Sequence, residues 1–285
     1  MIERILADKC QELVQKYPLL TITGPRQSGK TTLVRTLFHH YRYLSFEDPD
    51  IRLYAAEDPR GFLQEYPDHV ILDEVQRVPE IFSYLQTHTD LKNENGQFIL
   101  TGSQHFLLSE GISQSLAGRT GILHLLPLSL EEIGTTSISS LESYLLKGGY
   151  PRLHDHHIDP ADFFPGYTAT YLERDIRLIK NIVNLPIFER FLRLCAGRVG
   201  QLVNFSSLAD DVGISHNTVK AWLSLLETSF IVFRLQPHYK NYKKRLVKMP
   251  KLYFWDSGLL CSLLGIETES QLASHFLCGN IFESA

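Results

Sequence analysis

The stretch Gly24-Pro25-Arg26-Gln27-Ser28-Gly29-Lys30-Thr31 constrains this chain more than any other. It has the spacing G-x-x-x-x-G-K-[ST], and its flanks supply the context which that spacing needs. Before it, Leu19-Leu20-Thr21-Ile22-Thr23 is short, apolar and β-branched and reads as a buried strand; after it, Thr32 to Phe38 reads as a helix. A strand that turns through glycines into a helix aims successive backbone N–H groups, and the positive end of the helix, at one place, which suits a phosphate. Gly24, Pro25, Arg26, Gln27, Ser28, Gly29, Lys30, Thr31 and Thr32 are therefore the candidate nucleotide contacts. In this reading Lys30 neutralises the β- and γ-phosphates of ATP, and the Thr31 hydroxyl ligates Mg²⁺.

A second apolar run, His69-Val70-Ile71-Leu72, delivers Asp73 and Glu74 at its end. In open α/β sheets ligands sit at the carboxyl ends of the strands. Asp73 is the candidate to hold the metal shell, and Glu74 the candidate to polarise an attacking water. A third run, Gln97 to Thr101, ends in Gly102-Ser103-Gln104. Ser103 or Gln104 reports on the γ-phosphate, or Ser103 simply caps the helix that follows. Arg119, just before the next strand, either meets the phosphates in cis or from a neighbouring subunit, or forms a surface salt bridge. Arg26, inside the loop, carries the same two readings.

Runs at Tyr43–Phe46 and Gly121–Leu126 complete a set of strands alternating with helical stretches, which predicts an α/β fold with a parallel sheet covered on both faces. After Ser129 helical patterns take over. We divide the chain into a P-loop domain (1–135), a helical region (136–200), a winged-helix domain (201–265) and the start of a further element (266–285), with the chain expected to continue beyond it. Hydrophobic residues make up 44% of the sequence and charged ones 21%, which argues against disorder. No apolar run reaches the roughly 20 residues of a membrane span, and the N-terminus lacks the layout of a signal peptide. Cys10, Cys195, Cys261 and Cys278 are far apart and suit reduced thiols in the cytoplasm. The histidines, including His154, His156 and His157, lack metal-site spacing, so no metal beyond Mg²⁺ is expected.

In Ser207 to Leu223 a small residue (Ala209), a turn glycine (Gly213), a capping serine (Ser215) and inward Val219, Trp222 and Leu223 fall at the spacing of a helix-turn-helix. His216, Asn217, Thr218 and Lys220 then lie where a recognition helix meets bases. The chain has net charge −4, but residues 201–251 carry +5, with Lys243 and Lys244 in the basic stretch after the apolar run Phe230–Phe233. That stretch would suit a wing that tracks phosphates. Asp210 and Asp211 beside the motif leave open a second reading, a module that only packs against protein. Glu173 and Arg177 read as a helix-surface ion pair, and Gly148-Gly149-Tyr150-Pro151 reads as a turn.

These motifs together resemble the prokaryotic AAA-type ATPases that join an N-terminal P-loop domain to a C-terminal domain of unknown function 4143. The resemblance spans almost the whole chain and rests on Gly24–Thr32, Leu72-Asp73-Glu74-Val75-Gln76, Leu100-Thr101-Gly102-Ser103, Leu116-Ala117-Gly118-Arg119, Pro127-Leu128-Ser129, Gly148–Pro151, Tyr171–Asp175, Lys244–Lys248 and Tyr253–Leu259. It implies an AAA+ core, a helical region with a winged helix, and a further nuclease-like domain entered near Gly279–Glu283.

The sequence thus points to an ATP-hydrolysing switch, Mg²⁺-dependent, that couples nucleotide state to a double-stranded DNA or protein partner, with homo-oligomerisation open. The alternatives are a nucleotide-gated sensor without turnover and a DNA-binding regulator for which ATP is incidental.

Overall fold

The computed structural model describes residues 2–102, 115–134, 138–170, 184–238 and 249–285. The chain divides into two compact units, residues 1–126 and 127–285.

The first unit is built on five strands: β1 (Leu19–Thr23), β2 (Arg42–Ser45), β3 (Val70–Asp73), β4 (Phe98–Gly102) and β5 (Thr120–His124). They lie in the order β2-β3-β4-β1-β5, and every pairing is parallel, as predicted. The described helices are α1 (Leu6–Val14), α2 (Lys30–Leu37), α3 (Pro49–Glu57), α4 (Pro59–Glu65) and α5 (Ile81–Lys92).

The near-continuous apolar strands are explained by burial on both faces. Leu19, Val70, Leu72, Phe98 and Leu100 point to one face and pack with Ala55 of α3, Phe62 of α4, and Phe82 and Leu85 of α5. Leu20, Ile22, Ile71 and Ile99, one residue out of phase, point to the other and pack with Cys10 of α1 and with Leu33 and Val34 of α2. Each such side chain contributes about 1.5–3 kcal/mol through burial. Parallel pairing has a consequence for chemistry: the residues that follow β1, β3 and β4 all emerge at one edge of the sheet.

The second unit is mainly helical, with α6 (Leu130–Ile133), α7 (Leu141–Lys147), α8 (Pro151–Asp155), α9 (Pro160–Thr170), α10 (Leu185–Ala196), α11 (Phe205–Val212), α12 (His216–Thr228), α13 (Ser257–Leu263), α14 (Glu269–Ser274) and α15 (Cys278–Ser284). The strands β6 (Val232–Leu235) and β7 (Lys251–Phe254) form a two-stranded antiparallel sheet. Between α11 and α12, Gly213 takes the turn at φ +82° and Ser215 caps α12 by accepting the Thr218 N–H at 3.1 Å. Val219, Trp222 and Leu223 are buried, and the Trp222 ring packs edge-on against Phe188 and Phe191 of α10.

Two motifs far apart in sequence meet in this unit. Asp256 caps α13 by accepting the Leu259 N–H, and it also accepts the Gly149 N–H, both at 2.7 Å. A Cβ on Gly148 would come within 2.5 Å of the Asp256 carboxylate, so that glycine is required by packing as well as by its φ of +65°. Burial pushes the Asp256 carboxyl up to about 6, against the pull of the backbone N–H groups of Leu259, Gly149 and Gly258.

Candidate functional site

The loop after β1 is held in a tight curl by three positive-φ residues: Gly24 (+151°), Gln27 (+60°) and Gly29 (+91°), the last at the N-cap of α2. Gly24 has no room for a side chain, since a Cβ there would lie 2.2 Å from the Leu125 carbonyl oxygen. Lys30 is buried, and its ammonium donates to the carbonyls of Gly24 at 3.0 Å and Pro25 at 2.6 Å, so the charge is kept inside the curl of the loop. Among the described residues, the Ser28 hydroxyl is buried without a hydrogen-bond partner. Pro25 is buried, Arg26 half-buried, and Gln27 and Thr32 are exposed.

Across the same edge, Asp73 ends β3 as a buried carboxylate that gathers three hydroxyl donors. Thr31 donates to its Oδ2 at 3.0 Å, Tyr43 of β2 to the same oxygen at 2.6 Å, and Thr101 of β4 to Oδ1. Burial, then the hydrogen bond to Asp73, push the Tyr43 hydroxyl above its ordinary range, so it stays a donor. The guanidinium of Arg35 lies 4.8 Å from the centre of the Tyr43 ring. Glu74 follows at φ +56°, ψ +42°, a left-handed conformation that turns the chain out of β3, and its carboxylate accepts the amide N–H of the buried Gln76. The hydroxyl of Thr31 beside the carboxylate of Asp73 is a hard-oxygen donor set, which fits Mg²⁺ and not a thiophilic metal. Burial drives the thiols of Cys10, Cys195 and Cys261 up to about 12, which makes those three poor nucleophiles.

The cis role considered for Arg119 is not supported. Its carbonyl accepts the Leu19 N–H at 3.1 Å, at the start of β1. With about 3.3 Å per residue, the four steps along β1 separate that edge from the phosphate loop by roughly 13 Å. There the guanidinium makes a two-point contact with Asp90 of α5, at 2.6 and 2.8 Å, which holds the Asp90 carboxyl below its ordinary range. The residue before a parallel strand and the residue after its neighbour lie at opposite edges.

Ser103, Gln104, Lys243, Lys244 and the Glu173–Arg177 pair lie outside the described residues. His216, Asn217 and Lys220 are exposed and Thr218 half-buried at the start of α12 in the second unit, with His216 and Lys220 both near the Phe205 ring. Four residues at the loop and the Asp73–Glu74 corner were not singled out from the sequence: Tyr43, Thr101, Gln76 and Arg4. For Tyr43 and Thr101 a signal existed, because each stands on a strand adjacent to β3, Thr101 next to the end of β4.

Residues 16–134 match the AAA domain family, AAA_14. That match falls on the sheet domain. Residues 138–270 match a domain of unknown function, DUF8612, in place of the domain 4143 that the resemblance implied. Uncharacterized proteins of Mycobacterium bovis and Mycobacterium tuberculosis are each 30% identical over 267 residues, which is 93% of this chain and 60% of theirs. This chain thus spans about three-fifths of their length. An uncharacterized protein of Haemophilus influenzae is 25% identical over 280 residues, covering 86% of this chain and 68% of its own. The Walker-type ATPase of Pyrococcus abyssi has a similar fold, with a TM-score of 0.61 at 16% identity, covering 92% of this chain and 96% of that one. Among the described residues, no helix is long and apolar enough to cross a membrane.

Proposed function

We propose that the protein hydrolyses ATP with Mg²⁺ and acts as a switch, its nucleotide state governing how the second unit engages a DNA or protein partner. The observation that carries this reading is the 3.0 Å contact between Thr31 and Asp73, which joins the phosphate loop to the carboxylate at the end of β3. Lys30 exchanges its carbonyl contacts for the β- and γ-phosphate oxygens. Thr31 and Asp73 hold Mg²⁺, which neutralises charge on those phosphates. Glu74 orients a water for in-line attack and takes up its proton as the bond between the γ-phosphorus and the β–γ bridging oxygen breaks, giving ADP and phosphate.

In the second unit, the exposed start of α12 and the antiparallel pair β6–β7 suit a winged helix, with His216, Asn217, Thr218 and Lys220 as contacts to duplex DNA and Lys243 and Lys244 as contacts to its phosphates. Purified Lys30→Ala protein is expected to lose ATP binding, and Glu74→Gln to keep binding and lose turnover. Normal phosphate release by Glu74→Gln would remove Glu74 from the mechanism.

A further inference from the structure

Arg4 precedes α1 and is remote in sequence from the loop, yet its side chain is buried and points at two backbone carbonyls. One guanidinium nitrogen donates to the Ser28 oxygen at 2.7 Å, the other to the Leu126 oxygen at 2.6 Å. Contacts this short are typical of charge-assisted hydrogen bonds, and they offset the cost of taking the cation out of water. We infer that Arg4 is a positioning residue for the nucleotide site: it fixes the phosphate loop from behind and registers it on the segment that ends the first unit. This rests on the proposed ATP-binding reading.

In a trans peptide the C=O and the following N–H point in opposite directions. Holding the Ser28 oxygen toward Arg4 therefore turns the Gly29 N–H away from it, as needed if that group is to serve the phosphate. The unusual Gly29 φ of +91° is the conformation this clamp maintains. The other end of the loop is registered on the same segment. Gly24 abuts the Leu125 carbonyl, and the Leu125 N–H donates to the Thr23 oxygen at 2.8 Å. The loop is thus bracketed at both ends by residues 125–126, directly at Gly24 and through Arg4 at Ser28. A phosphate that tightens the loop pulls on both brackets.

Only a planar fork reaches both carbonyls; a lysine ammonium on its flexible stem does not replace it. The test uses the full chain, with a fluorescent ATP analogue and Mg²⁺, on wild type, Arg4→Lys, Arg4→Gln and Lys30→Ala. Hydrogen exchange of residues 120–126 is followed with and without nucleotide. Both Arg4 variants are expected to bind nucleotide about tenfold more weakly or worse and to lose the nucleotide-induced protection that wild type shows. Wild-type affinity and protection in Arg4→Gln, or lowered thermal stability with unchanged affinity, would overturn the inference while leaving the ATP-binding reading intact. If Arg4→Gln does not fold, Arg4→Lys decides by the same criteria. Absence of binding by wild type would overturn the ATP-binding reading and this inference with it.

Discussion

The Tyr43 hydroxyl and the Thr31 hydroxyl donate to the same oxygen of Asp73, at 2.6 and 3.0 Å. Tyr43 therefore orients the carboxylate that we assign to the metal shell. Outer partners of a ligand are worth about 10–100-fold in metal affinity or activity. Tyr43→Phe is expected to raise the Mg²⁺ concentration for half-maximal ATP turnover by about tenfold with little change in fold. An unchanged Mg²⁺ titration would reduce Tyr43 to a packing residue.

Gly24→Ala places a Cβ 2.2 Å from the Leu125 oxygen at a φ of +151°. Either the loop or the Leu125 backbone must move. Loss of nucleotide affinity is expected together with destabilisation of about 1–3 kcal/mol, read by equilibrium binding and by denaturant unfolding. Wild-type affinity in this variant would mean that the loop tolerates displacement.

Arg119 is held by Asp90 at the edge of the sheet opposite the phosphate loop. Within one chain, Arg119→Ala should bind ATP as wild type does. Turnover per subunit, measured against protein concentration, distinguishes the remaining role. A wild-type rate that rises with concentration and an Arg119→Ala rate that does not would assign Arg119 to a neighbour's site.

Asp256 gives a pH dependence whose sign is fixed. Its carboxyl is raised from 3.8 to about 6 in the folded protein, so between those values the folded state binds more proton than the unfolded one. Stability therefore falls as pH rises through that window. The stability of wild type relative to Asp256→Asn, which cannot titrate there, is expected to drop by about 2 kcal/mol between pH 4 and pH 7. A difference that stays level with pH would mean the carboxylate is better solvated than its burial indicates.

The phosphate loop and the Asp73–Glu74 pair were legible in the sequence because each is contiguous and is announced by the apolar strand before it. The alternation of strands and helices was legible for the same reason, and the parallel sheet followed from it. The supporting contacts were not. Thr101 reaches Asp73 across 28 residues, and Arg4 reaches Leu126 across 122. No local spacing encodes such pairings; they exist only once strand order is known. Arg119 was legible only as alternatives: its place before β5 is plain in the sequence, but its ion pair with Asp90, 29 residues away, depends on how α5 packs on the sheet.

The strand order also sets a schedule for synthesis. β1 pairs only with β4 and β5, whose residues begin at Phe98 and Thr120. The phosphate loop is therefore made early but can be shaped only late, when β4 and then the Leu125 segment reach it. A nascent chain that ends before these strands has the residues of the loop without the sheet that curls it.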